Sequence, residues 1–145
     1  MKKNRVIEII SALLAFLFVY AAVSKLADYT TFRIQISQSP FITRFSSPLS
    51  LLIPSSELAI SVLLAFSKMR LYALYASLFL LSSFTAWLYA MLNFSHYIPC
   101  SCGGILSSLT WKQHIVLNAV FMVLSITGIF LISFENTHKL YYPVQ

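Results

Sequence analysis

Four long stretches of the chain are strongly apolar and carry few or no charges, separated by shorter segments that are polar or mixed. A helix crosses the hydrocarbon core of a bilayer when it holds roughly 20 consecutive apolar residues. On that measure the pattern predicts membrane spans at about 6–27, 48–67, 71–95 and 111–134. The third is the cleanest, since Leu71 to Ser95 contains no Asp, Glu, Lys or Arg. The fourth is uncharged from Ile115 to Phe134, and Thr110-Trp111-Lys112-Gln113 ahead of it reads as a capping box that starts the helix near residue 111. Glu8 and Lys25 lie near the ends of the first span, where long side chains reach the headgroup layer. The second opens at Ser47-Pro48, a cap followed by a first-turn proline. So little chain is left over that residues 1–145 form a single membrane domain, an all-α bundle of four transmembrane helices.

The segment between the first two spans, about Asp28 to Ser47, is amphipathic. Tyr29, Phe32 and Ile36 share one helical face, Arg33, Gln35 and Ser37 point elsewhere, and Ser39-Pro40 stops the helix. A short helix lying on the membrane surface is expected there. Tyr97, Trp111, Tyr141 and Tyr142 fit interfacial anchoring. With only three glycines and no Gly-x-x-x-Gly spacing, helix contact is expected to rest on the many Ala and Ser residues.

Composition removes the soluble alternatives. Hydrophobic residues make up 59% and charged residues 10%, with a mean hydropathy of +0.80. A soluble domain carries about 25% charge. The net charge of +6 comes without any run of five basic residues, so no nucleic-acid surface is built. In a membrane protein the excess of Lys and Arg marks cytoplasmic loops. Cytoplasmic termini place Lys2, Lys3, Arg5, Lys68, Arg70 and Lys139 inside, against Lys25, Arg33, Arg44 and Lys112 outside. The Lys68-Met69-Arg70 turn, as the tip of a tight hairpin, strengthens that orientation. A signal peptide cleaved after Ala22-Val23-Ser24 is the competing reading of the first 24 residues, and it leaves the third loop on the same side.

That third loop, His96 to Thr110, holds both cysteines of the protein, in Pro99-Cys100-Ser101-Cys102-Gly103-Gly104. On the extracytoplasmic face disulfides persist. A disulfide needs Cα atoms about 4.4–6.8 Å apart, so closing Cys100 to Cys102 bends the backbone and makes the bond more reducible. Strained disulfides are typically catalytic or regulatory, and Gly103 and Gly104 supply the backbone freedom to accommodate the bend. If a helical turn follows, Cys102 near its positive end favours the thiolate. The competing readings are a static bridge, two ordinary thiols, or a metal site borrowing His96 or His114. A bridge closing so small a loop removes little chain entropy, and the histidine spacing does not enforce convergence. Each histidine reads as an interfacial residue, and no metal is assigned.

Glu57 stands out within the second span, following Pro54, on the order of 12 Å below the outer boundary at about 1.5 Å per residue. It must face the bundle interior. Such a carboxylate acts as a proton carrier or a polar contact for a quinone headgroup, or else as a neutral or paired carboxyl bonding Lys25, Tyr20 or a serine. Lys25 and Asp28 read first as interfacial anchors, with Lys25 as the best charged partner for Glu57. No cofactor is fixed by these residues, quinone being the one that they suggest.

Tyr20-Ala21-Ala22-Val23-Ser24-Lys25-Leu26-Ala27-Asp28, Phe32, Gln38-Ser39-Pro40, Pro54-x-x-Glu57 and Pro99-Cys100-Ser101-Cys102-Gly103-Gly104, in that order, resemble the MauE/DoxX group of small bacterial redox-associated membrane proteins, including methylamine-utilisation MauE. The resemblance spans nearly the whole chain. It implies a four-helix bundle similar in plan to vitamin K epoxide reductase and DsbB-type enzymes, in the bacterial inner membrane, working with an extracytoplasmic thioredoxin-like protein such as MauD in disulfide formation during protein maturation. It maps the redox pair onto Cys100 and Cys102 and the intramembrane acid onto Glu57. Unlike the four-cysteine relay enzymes, this chain has no second pair, so donor thiols and acceptor must meet at one site or through a partner. The reading is a thiol–disulfide oxidoreductase. Its alternative is a noncatalytic membrane anchor or assembly factor for a thioredoxin-like protein, with the cysteines structural or metal-binding.

Overall fold

The computed structural model describes residues 2–37, 43–94 and 111–141, all of them helical or in short turns. The helices are α1 (Lys2–Ala27), α2 (Tyr29–Ser37), α3 (Ser46–Ala65), α4 (Arg70–Phe94) and α5 (Trp111–Tyr141), with a 3-10 turn at Thr43–Phe45 before α3. Four of them, α1, α3, α4 and α5, are long and apolar enough to cross a membrane. The apolar runs set the membrane segments but not every helix end. The α5 backbone stays helical to Tyr141, beyond the apolar stretch that closes at Phe134.

Side-chain distribution is inverted relative to a water-soluble protein. Phe16, Phe79 and Phe130 stand on the outside, 73%, 73% and 71% exposed, while Lys25, Ser50, Glu57, Ser61, Ser77, His114, Asn118 and Ser125 are buried. Lipid is an apolar solvent, so polar groups must find partners inside the bundle. The serines do this locally: Ser11, Ser77 and Ser125 donate to the carbonyls of Ile7, Ala73 and Phe121, one turn earlier, at 2.7–2.9 Å.

α1 packs most extensively on α3, and α4 on α5, so the bundle is two helix pairs. The core between them is built from Ile10, Leu14 and Phe18 of α1, Ile60 and Leu64 of α3, and Leu74 and Leu81 of α4. Small residues let backbones approach, as expected: Ala22 and Ala73 are fully buried. One close approach nevertheless involves a glycine, Gly128 of α5. A Cβ there would lie 3.0 Å from Leu74 Cδ1 and 3.5 Å from Ile10 Cγ2. The pairs are pinched together at the end that also carries the α3–α4 hairpin.

The hairpin is as tight as the Lys68-Met69-Arg70 pattern requires. Phe66 N–H donates to Leu63 O at 3.2 Å, Met69 N–H to Phe66 O at 3.1 Å, and Arg70 Nε–H reaches back to Leu64 O at 3.4 Å, satisfying carbonyls that the end of α3 leaves open.

At the opposite end the segment after α1 does fold into a helix. Asp28 caps it, its Oδ1 accepting from Thr31 N–H at 3.4 Å. Phe32 and Ile36 are buried and Arg33 is exposed, as the amphipathic pattern requires. The buried face meets protein: α2 packs on α3, and the Tyr29 hydroxyl hydrogen-bonds Ser50 Oγ at 2.9 Å. Two local expectations change. α3 begins at Ser46, not after a Ser47 cap; its N-cap is Phe45, with no side-chain cap bond, because the 3-10 turn winds the chain directly into the helix. Pro48 then falls at the third helical position, still inside the first turn, where its missing N–H costs nothing. The Thr110 capping box lies outside the described residues.

Candidate functional site

Lys25 sits in the last turn of α1 and Glu57 in the middle of α3, and their helices are the most closely packed pair. Their side chains meet: Lys25 Nζ donates to Glu57 Oε1 at 2.6 Å, with 5% and 8% of the two side chains exposed. The ammonium also reaches Ala21 O at 3.5 Å. It lies between two aromatic faces, 5.9 Å from the Phe32 ring centre and 5.8 Å from that of Phe84. Cation–π attraction gains strength where water is excluded, so α2 and α4 both help hold the charge. Lys25 is thus no interfacial anchor. Its position one turn from the helix end would allow the stem to reach the headgroups, but a buried carboxylate and two rings hold it inward.

Glu57 faces the bundle interior. Its second oxygen, Oε2, is buried and has no hydrogen-bond partner among the described residues. A buried acceptor left unsatisfied is costly, and charged ones more so.

The ion pair forms part of the wall of a cavity of about 310 Å³ between the two helix pairs. Its contributors come from the C-terminal half of α1, from α2, from α3 between Leu49 and Glu57, from α4 between Leu80 and Trp87, and from the first turns of α5. All of these belong to the α2 end of the bundle, opposite the Gly128 pinch. The walls are mostly apolar, with Phe32, Phe84 and Trp87 as aromatic panels; the Phe84 and Trp87 rings lie 5.7 Å apart, tilted by 40°. Gln35, His114 and Asn118 add polar atoms. Asn118 Nδ2 donates to Thr85 Oγ1 at 3.2 Å, which fixes α5 against α4 beside the cavity.

His114 is buried at the cavity, not interfacial as its sequence context suggested. The third residue after Trp111 already faces inward because α5 starts at the cavity rim. Tyr20, the other proposed partner of Glu57, is half-buried on α1. Among the described residues no three His, Cys, Asp or Glu side chains converge as a metal would need. Cys100, Cys102 and His96 lie outside the described residues. Sequence reasoning did not single out Phe84, Trp87 or Asn118, because in an all-apolar span nothing distinguishes a wall residue from a lipid-facing one.

A bundle of four membrane-spanning helices that encloses a buried ion pair in a mostly apolar cavity defines a multi-pass membrane protein with an intramembrane polar site. The family described as Methylamine utilisation protein MauE matches residues 3–131, and the chain belongs to that family. No curated protein and no solved structure matches it at a significant level. Family membership associates this membrane protein with methylamine utilisation.

Proposed function

We propose that this protein is a thiol–disulfide oxidoreductase of the bacterial inner membrane, exchanging electrons through Cys100 and Cys102 with an extracytoplasmic thioredoxin-like protein of the MauD kind during protein maturation. The observation that carries this reading is connectivity. Both cysteines of the chain fall in the segment joining Phe94 of α4 to Trp111 of α5, and those helix ends lie at the same end of the bundle as the cavity. The charge pattern assigns that end to the extracytoplasmic side and the termini to the cytoplasm, with residues 1–145 as one domain. The plan is then that of vitamin K epoxide reductase and DsbB-type bundles, with α2 at the membrane surface.

In the exchange, a partner thiolate attacks the Cys100–Cys102 disulfide, forming a mixed disulfide and releasing one thiolate of the pair. The partner's second thiol displaces the remaining cysteine. The partner leaves as a disulfide, and Cys100 and Cys102 are left as a dithiol, having gained the two electrons and two protons that the partner lost. The strain of a ring closed across one residue drives the first step.

The Cys100→Ser and Cys102→Ser variants test this. Incubated with a reduced Cys-x-x-Cys thioredoxin, the disulfide-bearing wild type oxidises one thioredoxin per Cys100–Cys102 bridge, and neither single-cysteine variant does. A reduced thioredoxin whose resolving cysteine is Ser attacks the wild-type Cys100–Cys102 disulfide and, unable to resolve, accumulates as a mixed disulfide on a non-reducing gel; neither single-cysteine variant, which has no disulfide to attack, forms it. Normal oxidation of the thioredoxin by both variants ends the proposal and leaves a docking or assembly role.

A further inference from the structure

We propose that the cavity beside Lys25 and Glu57 binds the headgroup of a lipid-soluble quinone, with the ion pair as its polar anchor. Three features point to this chemistry. At about 310 Å³ the space is at the small end of ligand pockets, the size of one substituted ring rather than of a large cofactor. Phe32, Phe84 and Trp87 give it flat aromatic walls suited to a planar head. Its polar equipment pairs a cationic donor with a carboxylate whose Oε2 is buried without a hydrogen-bond partner among the described residues.

That donor–acceptor pairing decides between ligands. A quinone oxygen accepts a hydrogen bond as a carbonyl and donates one as a hydroxyl. An ammonium and a carboxylate held 2.6 Å apart offer a partner to each form. A lipid acyl chain would fill the apolar volume and leave Oε2 unsatisfied. Bound there, a quinone would supply a two-electron, two-proton acceptor, the count released when Cys100 and Cys102 close from dithiol to disulfide. That role rests on the exchange reading above; the binding does not.

The test is a titration of the full-length protein in lipid nanodiscs with decylubiquinone, read by quenching of Trp87 fluorescence in a Trp111→Phe background. Saturable quenching is expected, with unchanged affinity in the Cys100→Ser/Cys102→Ser variant. Lys25→Met/Glu57→Leu, which removes the anchor and leaves no lone buried charge, should weaken binding by at least about tenfold with helix content retained. Should that variant fail to fold, Phe84→Leu carries the test, with an expected loss of about three- to tenfold. Quenching that does not saturate, or decylubiquinone binding unaffected by these substitutions, overturns the assignment. Quinone binding without any trapped mixed disulfide would reject the exchange reading alone, and a trapped mixed disulfide without quinone binding would reject this one alone.

Discussion

Lys25 and Glu57 lie 32 residues apart in the chain, and one is of little use to the bundle without the other. A charge left alone in the interior of a membrane protein has neither water nor a counterion, and breaking a buried pair costs about 3–5 kcal/mol even in soluble proteins. Replacing both members with apolar groups of similar volume is often neutral. Lys25→Met is therefore expected to destabilise the protein by about 3–5 kcal/mol, and Lys25→Met/Glu57→Leu to recover most of that loss, measured by unfolding in mixed micelles. A double variant no more stable than the single one would show that the pair contributes through its rings and backbone contacts instead. Glu57 was legible in the sequence as a charge that a span should not contain, and Lys25 as its best charged partner though first as an interfacial anchor. The inward turn of Lys25 was not, because its nearness to a helix end is compatible with headgroup contact, and only the Phe32 and Phe84 rings and the Glu57 carboxylate decide otherwise. His114 escaped for a related reason: on a helix apolar nearly all round, one polar residue does not reveal which way its face is turned.

At the scale of elements, α2 is the most readable piece, since Phe32 and Ile36 recur at helical spacing on an otherwise polar segment and Asp28 supplies its cap. The sequence reading laid its apolar stripe on the membrane surface, whereas the stripe packs on α3; a membrane surface and a neighbouring helix demand the same pattern. The start of α3 was misplaced by two residues, as sequence signals for a cap do not register a preceding 3-10 turn. The close helix contact at Gly128 depends on two other helices. Gly128→Leu would drive a side chain into Leu74 and Ile10, and a loss of about 1–3 kcal/mol is expected from such overpacking. Leu74→Ala added to it opens room on the facing helix, so the double variant should lose less than the sum of the two single losses. Additive losses in a double-mutant cycle would mean that the two positions do not compete for the same space.

For the whole molecule, the arrangement of ends is the central fact. The bundle is pinched where α5 meets α1 and α4 at Gly128 and holds a cavity at the other end, where the cysteine-bearing segment joins its helices. The proposed orientation predicts that a membrane-impermeant maleimide, applied to intact cells with a permeable outer envelope after mild reduction, labels Cys100 and Cys102. Labelling only after the inner membrane is broken would reverse the topology and remove the oxidising side from the proposed chemistry.

The sequence alone determined the number of the spans, their place in the chain to within a few residues, and the inward placement of Glu57. Those follow from the cost of exposing charge and unpaired backbone to lipid, a local property of each segment. The tertiary structure alone decided that Lys25 turns inward to Glu57, that α2 covers α3, and that Phe84, Trp87, His114 and Asn118 share one cavity wall. Hydrophobicity says whether a helix belongs in the membrane, but with apolar residues on every side it does not say how that helix is rotated. The rotation is fixed only when the neighbouring helices pack against it.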